Sequence, residues 1–346
     1  MSKKLFDFAI GNPPYNQEFS KDGNKTYASP IYHEFLDAAY SVADKVELIH
    51  PARCLFNAGS TPKAWNEKIL QDPHFKVLRY EEDATKIFAN TDIKGGIAIT
   101  YHDDESDYGA IQVFTKYPEL NAVLKKARPI DDSDSLMSVI YIQNRFNLGA
   151  LLSDYPEYKS AIGSNGKDSR FEKNIFVKIP LFIEKEVADD EVRTLGIYKN
   201  KRSWRNISKK YVDMVHENLE KYKVVVPVAN GTGKFGQTLS TPILEQPFEA
   251  YTRSFIGIGA FNTKFEAEAA LKYIKTKFAR TMLSILKVTQ MTNKDVWKYV
   301  PLQDFTELSD INWKKSIHEV DIQLYRKYKL NKEEITFIET NVKEME

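Results

Sequence analysis

Cysteine is almost missing: Cys54 stands alone among 346 residues. That excludes an intramolecular disulfide and a cysteine-built metal cluster, and it fits a reducing cytoplasm. The histidines, His33, His50, His74, His102, His216 and His318, never recur at metal-ligand spacing, so no metal is expected. Charge of one sign is also lacking. Lys and Arg number 49 against 48 Asp and Glu, a net of +1, so any contact with nucleic acid must come from a local basic surface. No apolar run approaches a membrane span, and the opening MSKKLFDF has no signal-peptide core, so a soluble cytoplasmic chain with no membrane partner is expected. A restriction-nuclease motif, a G-K-S/T phosphate loop and an internal repeat are absent too.

What is present centres on Phe6 to Tyr15, FDFAIGNPPY. Phe6, Phe8, Ala9, Ile10 and Gly11 make a short apolar run ended by a Pro-Pro breaker, the pattern of a buried strand in a mostly parallel sheet. Asn12 then sits at the strand's carboxyl end, where open α/β sheets bind ligands. An amino group on a flat π-system is a poor nucleophile, and polarising it takes two acceptors aimed at its N–H bonds plus a stacking surface. The Asn12 side-chain oxygen and the Pro13 carbonyl can be the acceptors, Pro13 and Pro14 stiffen the turn, and Tyr15 offers an aromatic face. The bland alternative is a turn that merely ends a strand.

The tetrapeptide Asn12-Pro13-Pro14-Tyr15 resembles the motif of amino-group methyltransferases, above all the adenine-N6 DNA methyltransferases of restriction-modification systems. The resemblance continues through SPIYHEFLDAAY, VELIHPARCLF and FANTDIKGGIAITYH, similar to the second half of that catalytic domain. FARTMLSILKVTQMTNKDVWKYVPLQDF is similar to the closing region of large methylases that fuse modification with DNA recognition. The resemblance implies that Asn12 and Pro13 hold the target amine, that Tyr15 stacks on a base flipped from double-stranded DNA, and that the methyl donor is S-adenosylmethionine. Family members carry a glycine-rich cofactor loop ahead of this strand, and only eleven residues precede Asn12 here. Two remedies stay open. One is permutation, with Phe255-Ile256-Gly257-Ile258-Gly259 as the cofactor loop. The other is a partner polypeptide, or self-association, completing the sheet at Phe6 to Ile10, because an unpaired apolar edge invites association. Gly231 to Gly236 matches G-x-G-x-x-G, yet no helical periodicity follows it, so a hairpin or a loop near a DNA backbone is the better reading.

Along the chain, Asn16 to Ser29 reads as a loop able to close over a base. Ser29-Pro30 and Thr61-Pro62 read as helix starts, the first opening a helix with Ile31, Phe35, Ala38, Ala39 and Val42, the second a helix to about Leu70. Val46 to Ile49, Phe75 to Tyr80 and Gly96 to Tyr101 read as strands, with Gly109 to Phe114 pairing with the last. Beyond Tyr117, Pro118 to Arg128 and Asp134 to Ile142 read as helices, and Ile175 to Val177 and Tyr222 to Val228 as strands. The sharpest later feature is KNKRSWRNISKK, which holds Lys199, Lys201, Arg202, Trp204, Arg205, Lys209 and Lys210 without an acid. Such a patch suits phosphates, and a solvated loop is its alternative. Thr263 and Glu266 form a capping box that opens a long helix through Ile285, and helices near Ile317 to Tyr328 and Asn331 to Val342 close the chain.

The fold class expected is α/β, part of a Rossmann-like methyltransferase sheet, followed by an α+β DNA target-recognition domain. The expected divisions are 1–115, 116–305 and 306–346. Rival functional readings are a non-catalytic recognition subunit and a protein glutamine N-methyltransferase, whose planar amide substrate suits the same tetrapeptide.

Overall fold

The computed structural model describes residues 4–21, 25–56, 61–89, 93, 95–162, 169–231, 233–287 and 289–346. Two compact units meet between Asn121 and Ala122. The first is α/β. Its strands are β1 (Phe6–Gly11), β2 (Asn16–Lys21), β3 (Lys25–Pro30), β4 (Ala43–Pro51), β5 (Phe75–Glu81) and β6 (Ile97–Asp103), with helices α1 (Tyr32–Val42) and α2 (Lys63–Gln71). The main sheet runs β1-β4-β6-β5. Only β1 and β4 are parallel, and β6 is antiparallel to both neighbours, so the expectation of a mostly parallel sheet is corrected.

Side-chain alternation makes this sheet one-sided. Val46, Leu48 and His50 of β4 are buried, while Lys45, Glu47 and Ile49 between them stay partly open. The buried face packs on Tyr32 and Leu36 of α1, which are one turn apart, and on Trp65 and Ile69 of α2. On β1, Ala9 joins that core. Phe6, Phe8 and Ile10 point to the other face and remain 58%, 53% and 74% exposed, so the strand read as buried is an open edge.

Several local expectations also change. Asn16 to Ser29 forms the β2–β3 hairpin instead of a loop, and Asp22 to Asn24 at its turn lie outside the described residues. Ser29 and Pro30 belong to β3, and α1 starts after Ile31 with no side-chain cap. Thr61 does not cap α2. Its hydroxyl lies 2.9 Å from the Tyr32 hydroxyl, and Pro62 occupies the position before the helix. Gly109 to Phe114 is irregular, because β5 already fills the edge beside β6.

The second unit is α+β. It begins in α3 (Pro118–Ala127) and contains β7 (Ile140–Tyr141), α4 (Leu148–Asp154), α5 (Lys159–Ile162), α6 (Ile175–Lys178), β8 (Glu191–Tyr198), β9 (Lys201–Ser208), β10 (Tyr222–Pro227), β11 (Ile243–Glu245), β12 (Glu249–Tyr251) and β13 (Phe255–Phe261). Helices α7 (Lys264–Lys275), α8 (Lys277–Leu283), α9 (Ile317–Lys327) and α10 (Lys332–Asn341) follow. One sheet is ordered β11-β10-β13-β7 and another β12-β8-β9. Helix α7 lies on β10 and β13, α9 on α7 and α8, and α10 on α8.

Asp134 to Ile142 is not a helix. The side chains of Asp131 and Ser135 accept backbone N–H bonds and favour short 3-10 turns, after which β7 begins. Ile175 to Val177, read as a strand for its branched residues, is helical, with Ile175 and Phe176 buried. The single helix expected from Ala267 to Ile285 breaks at Thr276. The Thr276 hydroxyl accepts from Ala279 N–H, and Asp321 accepts from Lys277 and Phe278 N–H, so tertiary acceptors stabilise a second helix start. No described helix is long and apolar enough to cross a membrane.

Candidate functional site

Asn12 to Tyr15 follow directly on β1, at its carboxyl end as the sequence indicates. The Asn12 side chain is exposed, and among the described residues no hydrogen bond is donated to the Pro13 carbonyl. Both acceptors suited to an amine are thus open to an incoming group. Pro14 is exposed, and Tyr15 is half-buried against the core that α1 and α2 build. The Tyr15 carbonyl accepts the Ile31 N–H at 3.0 Å, which anchors the end of the turn at the entry to α1. The Tyr15 hydroxyl is buried beside the Asn12 side chain without well-formed hydrogen-bond geometry, and burial raises its pKa.

A buried polar chain lies next to that anchor. The Tyr32 ring stacks on His50 at 5.4 Å and 12°. The His50 Nδ1 lies 3.0 Å from the Pro51 carbonyl, which can only accept, so Nδ1 carries the proton and Nε2 accepts from the Thr100 hydroxyl at 2.9 Å. Burial lowers the His50 pKa to about 4, leaving the ring neutral at pH 7. Sequence reasoning gave His50 no role, since its only local signal is a polar residue at an inward position of β4.

The basic segment folds as the β8–β9 hairpin, turning at Lys199 and Asn200, both with positive φ. Alternation splits the patch between two faces. Arg202 and Trp204 share a face with Arg193, whose guanidinium lies 4.3 Å from the Trp204 ring. Arg202 donates to the carbonyls of Thr241 at 2.8 Å and Ser240 at 3.1 Å. On the opposite face Arg205 donates to the Phe182 carbonyl and to Glu184, and it lies over the Tyr198 ring at 4.1 Å. Lys209 donates to the Asp189 carbonyl, and Lys210 pairs with Asp154 at 2.5 Å. Among the described residues Lys199 touches only the Tyr198 ring, and the exposed Lys201 ammonium has no partner. The seven residues do not form one continuous cationic face.

Neither glycine-rich segment fits a cofactor loop. Phe255 to Gly259 is the first part of β13, and a Cβ on Gly257 would stand 2.3 Å from the Tyr251 hydroxyl, so its glycine serves packing. The permutation reading is thereby corrected. No helix starts at Gly231 to Gly236, and Thr232 lies outside the described residues. Among the described residues, no group of three His, Cys, Asp or Glu could hold a metal ion.

No curated protein matches this chain. A solved structure, the type IIG restriction endonuclease BpuSI, aligns over 86% of this chain at 9% identity and a TM-score of 0.30. This chain spans 44% of the length of that protein. Residues 1–88, which contain the Asn12 to Tyr15 turn, match the family described as Eco57I restriction-modification methylase.

Proposed function

We propose that this chain is the catalytic and DNA-recognition portion of a DNA adenine-N6 methyltransferase, transferring a methyl group from S-adenosylmethionine to an adenine flipped from double-stranded DNA. The observation that carries it is the exposed Asn12 amide next to a Pro13 carbonyl that accepts no hydrogen bond among the described residues, at the end of β1 and within the matched segment. In this reading the two acceptors take the two N–H bonds of the adenine amino group, which draws the nitrogen lone pair out of the ring. The Tyr15 ring then supports the extruded base. Positioning supplies most of the acceleration, since the amine loses its proton only after it is methylated. Among the described residues neither glycine-rich segment fits the methyl donor. We assign that role to a partner polypeptide whose strand pairs with the open edge of β1 and whose apolar surface covers Phe6, Phe8 and Ile10.

The test is transfer of labelled methyl to duplex DNA, with Asn12→Ala as the control. The reading requires that Asn12→Ala lose methylation at least a thousandfold while duplex binding stays within about twofold. Methylation retained in Asn12→Ala would sink it, and label appearing in protein in place of DNA would indicate glutamine N-methylation. The absence of a cofactor loop among the described residues favours a second reading, a recognition subunit that binds DNA without catalysing transfer. Duplex binding with no transfer under any supplementation would establish it.

A further inference from the structure

The second unit holds a cleft of about 430 Å³ that neither the turn nor the basic hairpin uses. Its walls are tied together by backbone contacts. The segment after β7 runs beside residues 212–217, with Phe146 bridged to Val212 and the Asp213 N–H donated to the Arg145 carbonyl at 2.9 Å. His216 also lines the cleft, its Nε2 lying 3.1 Å from the Ile142 carbonyl. That carbonyl only accepts, so Nε2 carries the proton, and burial lowers the His216 pKa, which leaves a neutral ring.

The charges that line the cleft are unusual in being left apart. Arg145 and Lys294 are both half-buried, and among the described residues neither cationic group makes an ion pair or hydrogen bond. Glu217 is likewise without a partner, and Asp213 receives only the Val215 N–H at 3.1 Å. A half-buried guanidinium and a half-buried ammonium lining one cleft are costly unless anionic groups answer them. Carboxylates lining the same cleft call for donors on the same ligand. Ile140 and Val215 add apolar surface, and Tyr141 adds an aromatic ring. The volume is that of a small-molecule site.

We infer that this cleft binds a mononucleotide unit, with Arg145 and Lys294 on the phosphate, Asp213 and Glu217 accepting from base or sugar donors, and Tyr141 against the base. A zwitterionic amino acid would satisfy the charges but leave much of the space and the aromatic wall unused. Phosphate alone would not engage the carboxylates. The inference does not depend on methyl transfer at Asn12.

The test is calorimetric titration of the full chain with adenosine 5′-monophosphate, with inorganic phosphate and adenosine as separate probes. The expected result is saturable binding of the monophosphate, at least tenfold tighter than either probe alone. Arg145→Gln together with Lys294→Gln should weaken the monophosphate at least tenfold and leave adenosine within twofold. Should that double variant fold poorly, Lys294→Glu alone, on a partly exposed 3-10 turn, should still weaken the monophosphate severalfold. No saturation at millimolar monophosphate, or equal affinity in a folded variant, overturns the assignment.

Discussion

The Tyr15 carbonyl accepts the Ile31 N–H at 3.0 Å, so the turn that follows β1 is fastened to the start of α1 across the whole β2–β3 hairpin. Asn12 and Pro13 are therefore held from both sides, by the β1–β4 ladder before them and by this bond after them. Ile31→Pro removes the N–H. It should reduce stability by more than the roughly 1–3 kcal/mol of the lost bond, because proline also cannot keep the −124° φ of Ile31, and methylation should fall more than duplex binding. Denaturant unfolding measured alongside transfer assays checks both.

Tyr15→Phe tests the hydroxyl next to Asn12. Because that oxygen is buried without well-formed hydrogen-bond geometry, its removal should leave stability unchanged or raise it by up to about 1 kcal/mol. A loss above about 1 kcal/mol in urea unfolding would show that Asn12 is a true partner.

The open edge of β1 predicts association. Sedimentation of the isolated chain should show concentration-dependent assembly, and Phe6→Ser, Phe8→Lys and Ile10→Lys combined should abolish it while the far-ultraviolet spectrum stays the same. Burying each of these side chains is worth roughly 1.5–3 kcal/mol, so a genuine partner should raise the melting temperature markedly.

His50 predicts acid sensitivity. Its folded pKa is about 4 against roughly 6.5 unfolded. Between those values the unfolded chain binds a proton that the folded chain refuses. Stability is therefore complete above about pH 6.5 and falls as pH drops toward 4, by on the order of 3 kcal/mol. His50→Gln should flatten that part of the stability–pH curve.

In the hairpin, Lys199→Ala with Lys201→Ala should weaken duplex binding and reduce the salt slope by about 0.9 for each phosphate no longer neutralised. Arg205→Ala should act mainly on stability, since its guanidinium already serves Phe182 and Glu184. A larger salt-slope change in Arg205→Ala than in the lysine pair would reverse that division.

The sequence by itself determined the strand that leads into Asn12 to Tyr15, the capping box at Thr263 and Glu266, and the helices near the end, since each rests on interactions a few residues apart. Tertiary structure decided the rest. The run from Phe6 to Ile10 carries the same apolar pattern whether its neighbours are present or not, and only the sheet order shows it to be an exposed edge. The basic run looks like one patch in a line of letters. Pairing as strands sends alternate side chains to opposite faces, where backbone carbonyls and carboxylates take up most of the charge. Thr276 ends a helix that periodicity would continue, because Asp321, far along the chain, accepts the next helix's first N–H groups. The cleft beside His216 is drawn from three separated segments, and no spacing within any one of them could have disclosed it.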